Sequence, residues 1–157
     1  MKRKPILLLI DGQCTLCHGI ARFVIRRDRD RQFYFASIQS PLGQRMLAEG
    51  RLPGGDLDTF VMIVSGKYYT RSGAALRVVR RLGGLWPLLS IGMLAPGVLR
   101  DFVYNLIARN RYRWFGSADA CLVPTADVRS RLLEEVEDWR RLGNENKQHA
   151  GTDIRGN

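Results

Sequence analysis

Two cysteines, Cys14 and Cys17, stand two residues apart in the run D-G-Q-C-T-L-C. They follow the apolar residues Ile6 to Ile10 and precede an amphipathic stretch that opens near Leu16. The pattern predicts a buried strand, a turn over Asp11, Gly12 and Gln13, and a helix whose first turn carries both thiols. A thiol at a helix N-terminus meets unpaired backbone N–H groups and the positive end of the helix dipole. Both favour the thiolate, which is the reactive form. Two cysteines at this spacing can also close a disulfide across the turn. The chemistry is that of thiol–disulfide exchange, with Cys14 as the exposed attacking thiol and Cys17 as the more buried resolving one.

The neighbours of the pair carry alternatives. Asp11 either accepts the Cys17 proton through water or anchors the turn by binding backbone N–H groups. It is not there simply to activate Cys14, because a carboxylate opposes a nearby thiolate. Gly12 permits a tight turn or a close backbone approach. His18 either stabilises the thiolate as a cation or lies solvated on the surface. It also completes C-T-L-C-H, the pattern of c-type haem attachment. That pattern here follows a buried strand, with no export signal, which argues against haem. Cys14, Cys17, Cys121 and His18 together could make a Cys3His metal set, for zinc or an iron–sulfur centre. Only one knuckle-like pair is present, so this is the alternative and not the leading reading.

Composition sets the frame. The chain has 157 residues, 45% hydrophobic and 25% charged, which suits one globular domain with a real core. Three cysteines are too few for a disulfide-built scaffold and leave at least one thiol unpaired. The basic start ahead of Ile6 imitates a signal peptide, but the apolar run ends at Asp11, too soon for one. No stretch has the length of a membrane span; Leu85 to Leu99 comes nearest and is broken by Pro87, Gly92, Pro96 and Gly97. A cytoplasmic location is expected. The net charge of +10 admits an acidic partner, nucleic acid or an anionic membrane surface. The arginines are scattered through the helices, which favours a solvated surface.

Stepping along the chain, Leu16, Ile20, Phe23 and Val24 mark the first helix, ending in the charge run Arg27 to Arg31. Phe33 to Ile38 reads as a second strand, and Ser40-Pro41 as a capped helix start. Thr59 to Val64 and Lys67 to Thr70 form a hairpin about Ser65-Gly66. A third helix, capped by Ser72, carries Ala75, Leu76, Val79 and Leu82 on one face. The β-α-β-α-β-β-α order predicts a four-stranded mixed sheet covered by helices, with Ile6 to Ile10 central. A short apolar helix over Trp86 to Leu94 and a longer one over 97–110 are expected to cap the same core. A last helix from Thr125 through Trp139 completes a single domain over residues 1–142, and residues 143–157 read as a disordered tail. In R-N-R-Y-R-W-F-G, arginines alternate with aromatics, which suits nucleic-acid stacking. The preferred reading packs Tyr112, Trp114 and Phe115 into the core.

The order of elements, with Cys-x-x-Cys at the first helix, resembles the thioredoxin superfamily. More closely, D-G-Q-C-T-L-C, Y-Y-T-R-S-G-A-A-L, R-N-R-Y-R-W-F-G and D-A-C resemble the DCC family of thiol–disulfide oxidoreductases, also called DUF393 or YuxK-like. The D-x-x-C-x-x-C motif falls on Asp11, Cys14 and Cys17. The resemblance implies a thioredoxin-like fold and no organic cofactor. It also implies a protein or small-molecule thiol or disulfide as substrate, and a cellular thiol reductant as partner. Cys121 lies in the D-A-C block, as packing or as a further thiol near the pair. Thioredoxins carry a cis-proline before the third strand; here that position is Thr59, so substrate docking should differ.

Overall fold

Strand β1, Ile6–Ile10, is covered on both sides, as its unbroken apolar sequence requires. The computed structural model describes residues 4–52, 60–82, 84–116 and 126–152. β1 pairs in parallel with β2, Phe33–Ser37, and antiparallel with β3, Val61–Val64, which pairs antiparallel with β4, Lys67–Thr70. The order β2-β1-β3-β4 gives one four-stranded mixed sheet of the thioredoxin-like α/β type. The hairpin turns on Ser65 and Gly66, both at positive φ, as a two-residue turn between twisted strands demands.

Alternate strand residues point to opposite faces and build two cores. Ile6, Leu8, Ile10, Phe33, Phe35 and Met62 meet helices α1, Thr15–Arg27, and α3, Arg71–Arg81. Leu7, Leu9, Ala36, Val61 and Ile63 meet helix α2, Pro41–Glu49. The Ser40 hydroxyl caps α2 by accepting from the Gly43 N–H at 3.1 Å, with Pro41 in the first turn. Gly43 is pressed on the β2 corner: a Cβ there would sit 2.0 Å from the Ser37 carbonyl oxygen.

Several expectations are corrected. Ser72 does not cap α3; its hydroxyl donates to Asp101 at 2.5 Å. The residues after 125 do not form one helix. α5 spans Ala126–Arg129, an extended turn follows, and α6 spans Val136–Thr152. In that turn Leu132 bridges to Phe35, and the Leu133 N–H donates to the Phe35 carbonyl at 2.7 Å. Three residues thus cover the otherwise open edge of β2. α6 also runs through Gly143 to Thr152, within the stretch read from the sequence as a disordered tail. Asp28 is buried rather than part of a solvated charge run. It accepts from the Gln32 and Phe33 N–H groups and pairs with Arg131 at 2.6 Å, tying the end of α1 to the C-terminal segment.

The largest correction concerns residues 85–115. Trp86–Leu94 forms a 3-10 helix and Gly97–Phe115 forms α4. Trp86 is held edge-on to Phe23, with Arg27 over both rings. Beyond this anchor the segment does not bury its apolar residues: Leu94 and Val98 are 85% and 86% exposed. Tyr112, Trp114 and Phe115 are exposed too, against the expected core packing. The side of α4 that faces the domain carries polar side chains beside the buried Ala108. Arg100 donates to Ser72, Tyr104 accepts from the Phe60 N–H, and Arg111 reaches Asp11. These residues recur at spacings of four and seven, one helical face. Among the described residues, no helix is long and apolar enough to cross a membrane.

Candidate functional site

The site forms where β1 ends. Asp11, Gly12 and Gln13 make the turn, and the Cys14 N–H closes it on the Asp11 carbonyl at 3.3 Å. Cys14 occupies the N-cap of α1 in extended conformation, and Cys17 sits within the first turn. Cys14 offers no oxygen to cap the helix, so the leading N–H groups and the dipole are left to act on the thiols.

Burial reverses the expected order of exposure. Cys14 is 0% exposed, whereas Cys17 is half-buried. The N-cap residue is turned inward by the strand that delivers it, and the helix then carries Cys17 round to the wall of a cavity. Burial, the neighbouring charge of Cys14 and a hydrogen bond with it push the Cys17 thiol from 9.0 up to about 12. A backbone hydrogen bond from Asp11 and the Arg111 charge pull the other way and lose.

Asp11 is 1% exposed and fully engaged. Its Oδ1 accepts from the Gln13 N–H and the Gln39 amide, each at 2.9 Å. Its Oδ2 pairs with the Arg111 guanidinium at 3.0 Å and accepts from the Tyr112 hydroxyl. A buried carboxylate is tolerable with such partners and costly without them. Gln39 also accepts from the Gly12 N–H at 3.2 Å, so one side chain from the β2–α2 corner braces the whole turn. Gly12 leaves room for these side chains: a Cβ would lie 2.8 Å from the Ser37 hydroxyl, which would have to shift. His18 Nε2 lies 2.9 Å from the Gly12 carbonyl, to which it donates. Its ring thus braces the turn, a role assigned to it by neither sequence reading.

The cavity beside the pair has a volume of about 320 Å3. Its wall is apolar, with Leu16, Ile20, Phe60, Val79 and Ile107, except for Asp11, Cys17, Tyr104 and Arg111. Such a pocket suits an apolar group presented next to a few polar atoms. Among the described residues no three metal-binding side chains converge. Cys121, Pro53 and Thr59 lie outside the described residues.

Sequence reasoning placed Asp11, Cys14 and Cys17 together but missed Arg111, Tyr112 and Gln39. The signal for Arg111 was present in Arg100, Tyr104 and Arg111, a polar series at helical spacing through an apolar helix. The apolar stripe beside it was read as the inner face.

Comparison with known proteins bears on the same residues. Residues 8–117 match the family described as DCC1-like thiol-disulfide oxidoreductase. The chain is 43% identical over 127 residues to the uncharacterized protein YuxK of Bacillus subtilis (strain 168), covering 81% of this chain and 93% of that protein. It is 36% identical over 121 residues to a DCC family protein of Arabidopsis thaliana described as chloroplastic, covering 76% of this chain and 69% of that protein. No solved structure matches it.

Proposed function

Because the chain belongs to the DCC1-like thiol-disulfide oxidoreductase family, we propose that it exchanges disulfides through Cys14 and Cys17. The Cys14 thiolate attacks one sulfur of a client disulfide, and the other client sulfur leaves as a thiolate. Cys17 then loses its proton and attacks the Cys14 sulfur. The second client thiolate departs, and the protein holds a Cys14–Cys17 disulfide. Two electrons have passed to the client, and a cellular thiol reductant restores the dithiol. The same steps reversed oxidise a client dithiol.

The observation that carries this reading is the pair itself, an N-cap cysteine with a second cysteine in the first turn of the same helix. The high pKa of Cys17 supports its resolving role. Part of the upward shift comes from the charge of Cys14. A mixed disulfide at Cys14 removes that charge, so Cys17 becomes easier to deprotonate when it is needed. Asp11 acts as a positioning residue: it holds the turn and Arg111, and its engaged oxygens support anchoring over proton transfer. The client is a protein or small-molecule thiol or disulfide with an apolar group beside its sulfur, which the cavity accepts. The chain serves as one thioredoxin-like domain, with α6 as its last helix, in a cytoplasmic protein.

Cys14 is buried, so this order of events needs a local opening of the turn. The cavity position of Cys17 favours a second reading, in which Cys17 meets the client first. Incubation with oxidised glutathione, followed by mass spectrometry, separates them. Cys17→Ser should accumulate a glutathione adduct on Cys14, and Cys14→Ser should form none. An adduct on Cys17 in Cys14→Ser, with none in Cys17→Ser, reverses the roles. Full exchange activity in both variants would falsify the proposal.

A further inference from the structure

The cavity and the thiols leave one large feature of the molecule unused. All the large apolar side chains that stand exposed among the described residues, except Ile20, lie between Leu85 and Phe115. A soluble surface scatters such residues; a contiguous set marks something that covers them. We propose that this face docks on an anionic membrane surface, with the 3-10 helix and the N-terminal half of α4 in the acyl boundary and the end of α4 among the headgroups.

Three observations select lipid as the occupant. First, α4 is inverted. Val98, Leu99, Phe102, Val103 and Leu106 face away from the domain, while Arg100, Tyr104 and Arg111 face into it and are bonded there. Second, the charges of the stretch are one-sided. Between residues 84 and 116 the only acid is Asp101, which is held by Ser72, while Arg109 and Arg113 stand exposed beyond the apolar end of the outward face. Exposed Trp114 lies beside them. Apolar residues followed by arginine and tryptophan suit a helix that dips into a membrane interface with one end at the headgroups, where arginine reaches phosphate and tryptophan sits at headgroup level. Third, the chain carries a net +10. A second copy laid on this face would offer no exposed acid of the stretch to pair Arg109 and Arg113, whereas anionic lipid neutralises them. Ile20 and Ile107 are both exposed and part of the cavity wall, so the face continues to the cavity.

Flotation of the full chain with vesicles tests this, using phosphatidylcholine alone and phosphatidylcholine mixed with phosphatidylglycerol. The protein should float with the mixed vesicles and fall away as salt is raised. Arg109→Gln with Arg113→Gln should weaken that binding by about 30-fold. Phe102→Ser with Leu106→Ser should weaken it by more than about tenfold, with helicity by circular dichroism unchanged. Equal binding to the two vesicle types would overturn the proposal, as would salt-insensitive binding. So would a stable dimer in sedimentation equilibrium that fails to float, which would make a second copy the occupant.

Discussion

The sheet and α4 handle apolar residues in opposite ways. In the sheet, Leu8 and Phe35 are sealed on one face and Leu7 and Leu9 on the other. In α4 the inward hydrogen bonds are made by Arg100, Tyr104 and Arg111 beside the buried Ala108, and the large apolar residues Val98, Leu99, Phe102, Val103 and Leu106 are left outside. The domain is thus stable through its sheet, while α4 is fastened by polar bonds that also complete the candidate site. An element attached in this way contributes the Arg111–Asp11 pair and the roof of the cavity without hiding its own apolar side.

Substitutions sharpen the contrast. The largest loss is expected from Phe35→Ala, which opens a cavity between the sheet and α1; it should cost about 3–5 kcal/mol in urea unfolding. Arg111→Met should cost about 2–3 kcal/mol. That is less, because Asp11 keeps the Gln13 N–H, the Gln39 amide and the Tyr112 hydroxyl. It should also speed alkylation of Cys14 by loosening the turn. A loss as small as that of a surface residue would show that α4 is not fastened through this pair.

Smaller again is a pH effect. Cys17 is raised from 9.0 to about 12, chiefly by burial. The folded state therefore holds the proton that the unfolded state releases. Its contribution is complete below about pH 9 and is lost as pH rises toward 12, so wild type should lose more stability over that window than Cys17→Ala. Alkylation of Cys17 in Cys14→Ser should rise about tenfold per pH unit through pH 9, since burial still holds the thiol protonated. The smallest effect belongs to Leu94→Ser. Its side chain is 85% exposed, and unfolding should shift by no more than about 0.5 kcal/mol. A loss near that of Phe35→Ala would mean that the face is covered within the molecule, and the contrast would fail.

The parts of the structure legible in the sequence are those where local chemistry and burial agree. The continuous run Ile6 to Ile10, the Ser40-Pro41 cap and the Ser65-Gly66 turn each specify one conformation. The strand-to-helix placement of Cys14 and Cys17 followed from them. What stayed hidden depends on partners remote in the chain. Asp28 looks solvated until Arg131 is beside it, and Leu132 looks helical until it is set against Phe35. The exposure of the two thiols was misjudged because the spacing fixes their separation on the helix and not the direction from which β1 delivers them. In α4 both faces have helical spacing, and periodicity alone does not say which one is inside.

Asp11 and Arg111 are separated by 100 residues. A chain is made from its N-terminus, at about 5–20 residues per second, so Cys14 and Cys17 emerge about 5–20 seconds before the guanidinium that secures their turn. The turn that carries the thiols is therefore secured only once α4 has been made, and its final form waits on the last-made wall of the cavity.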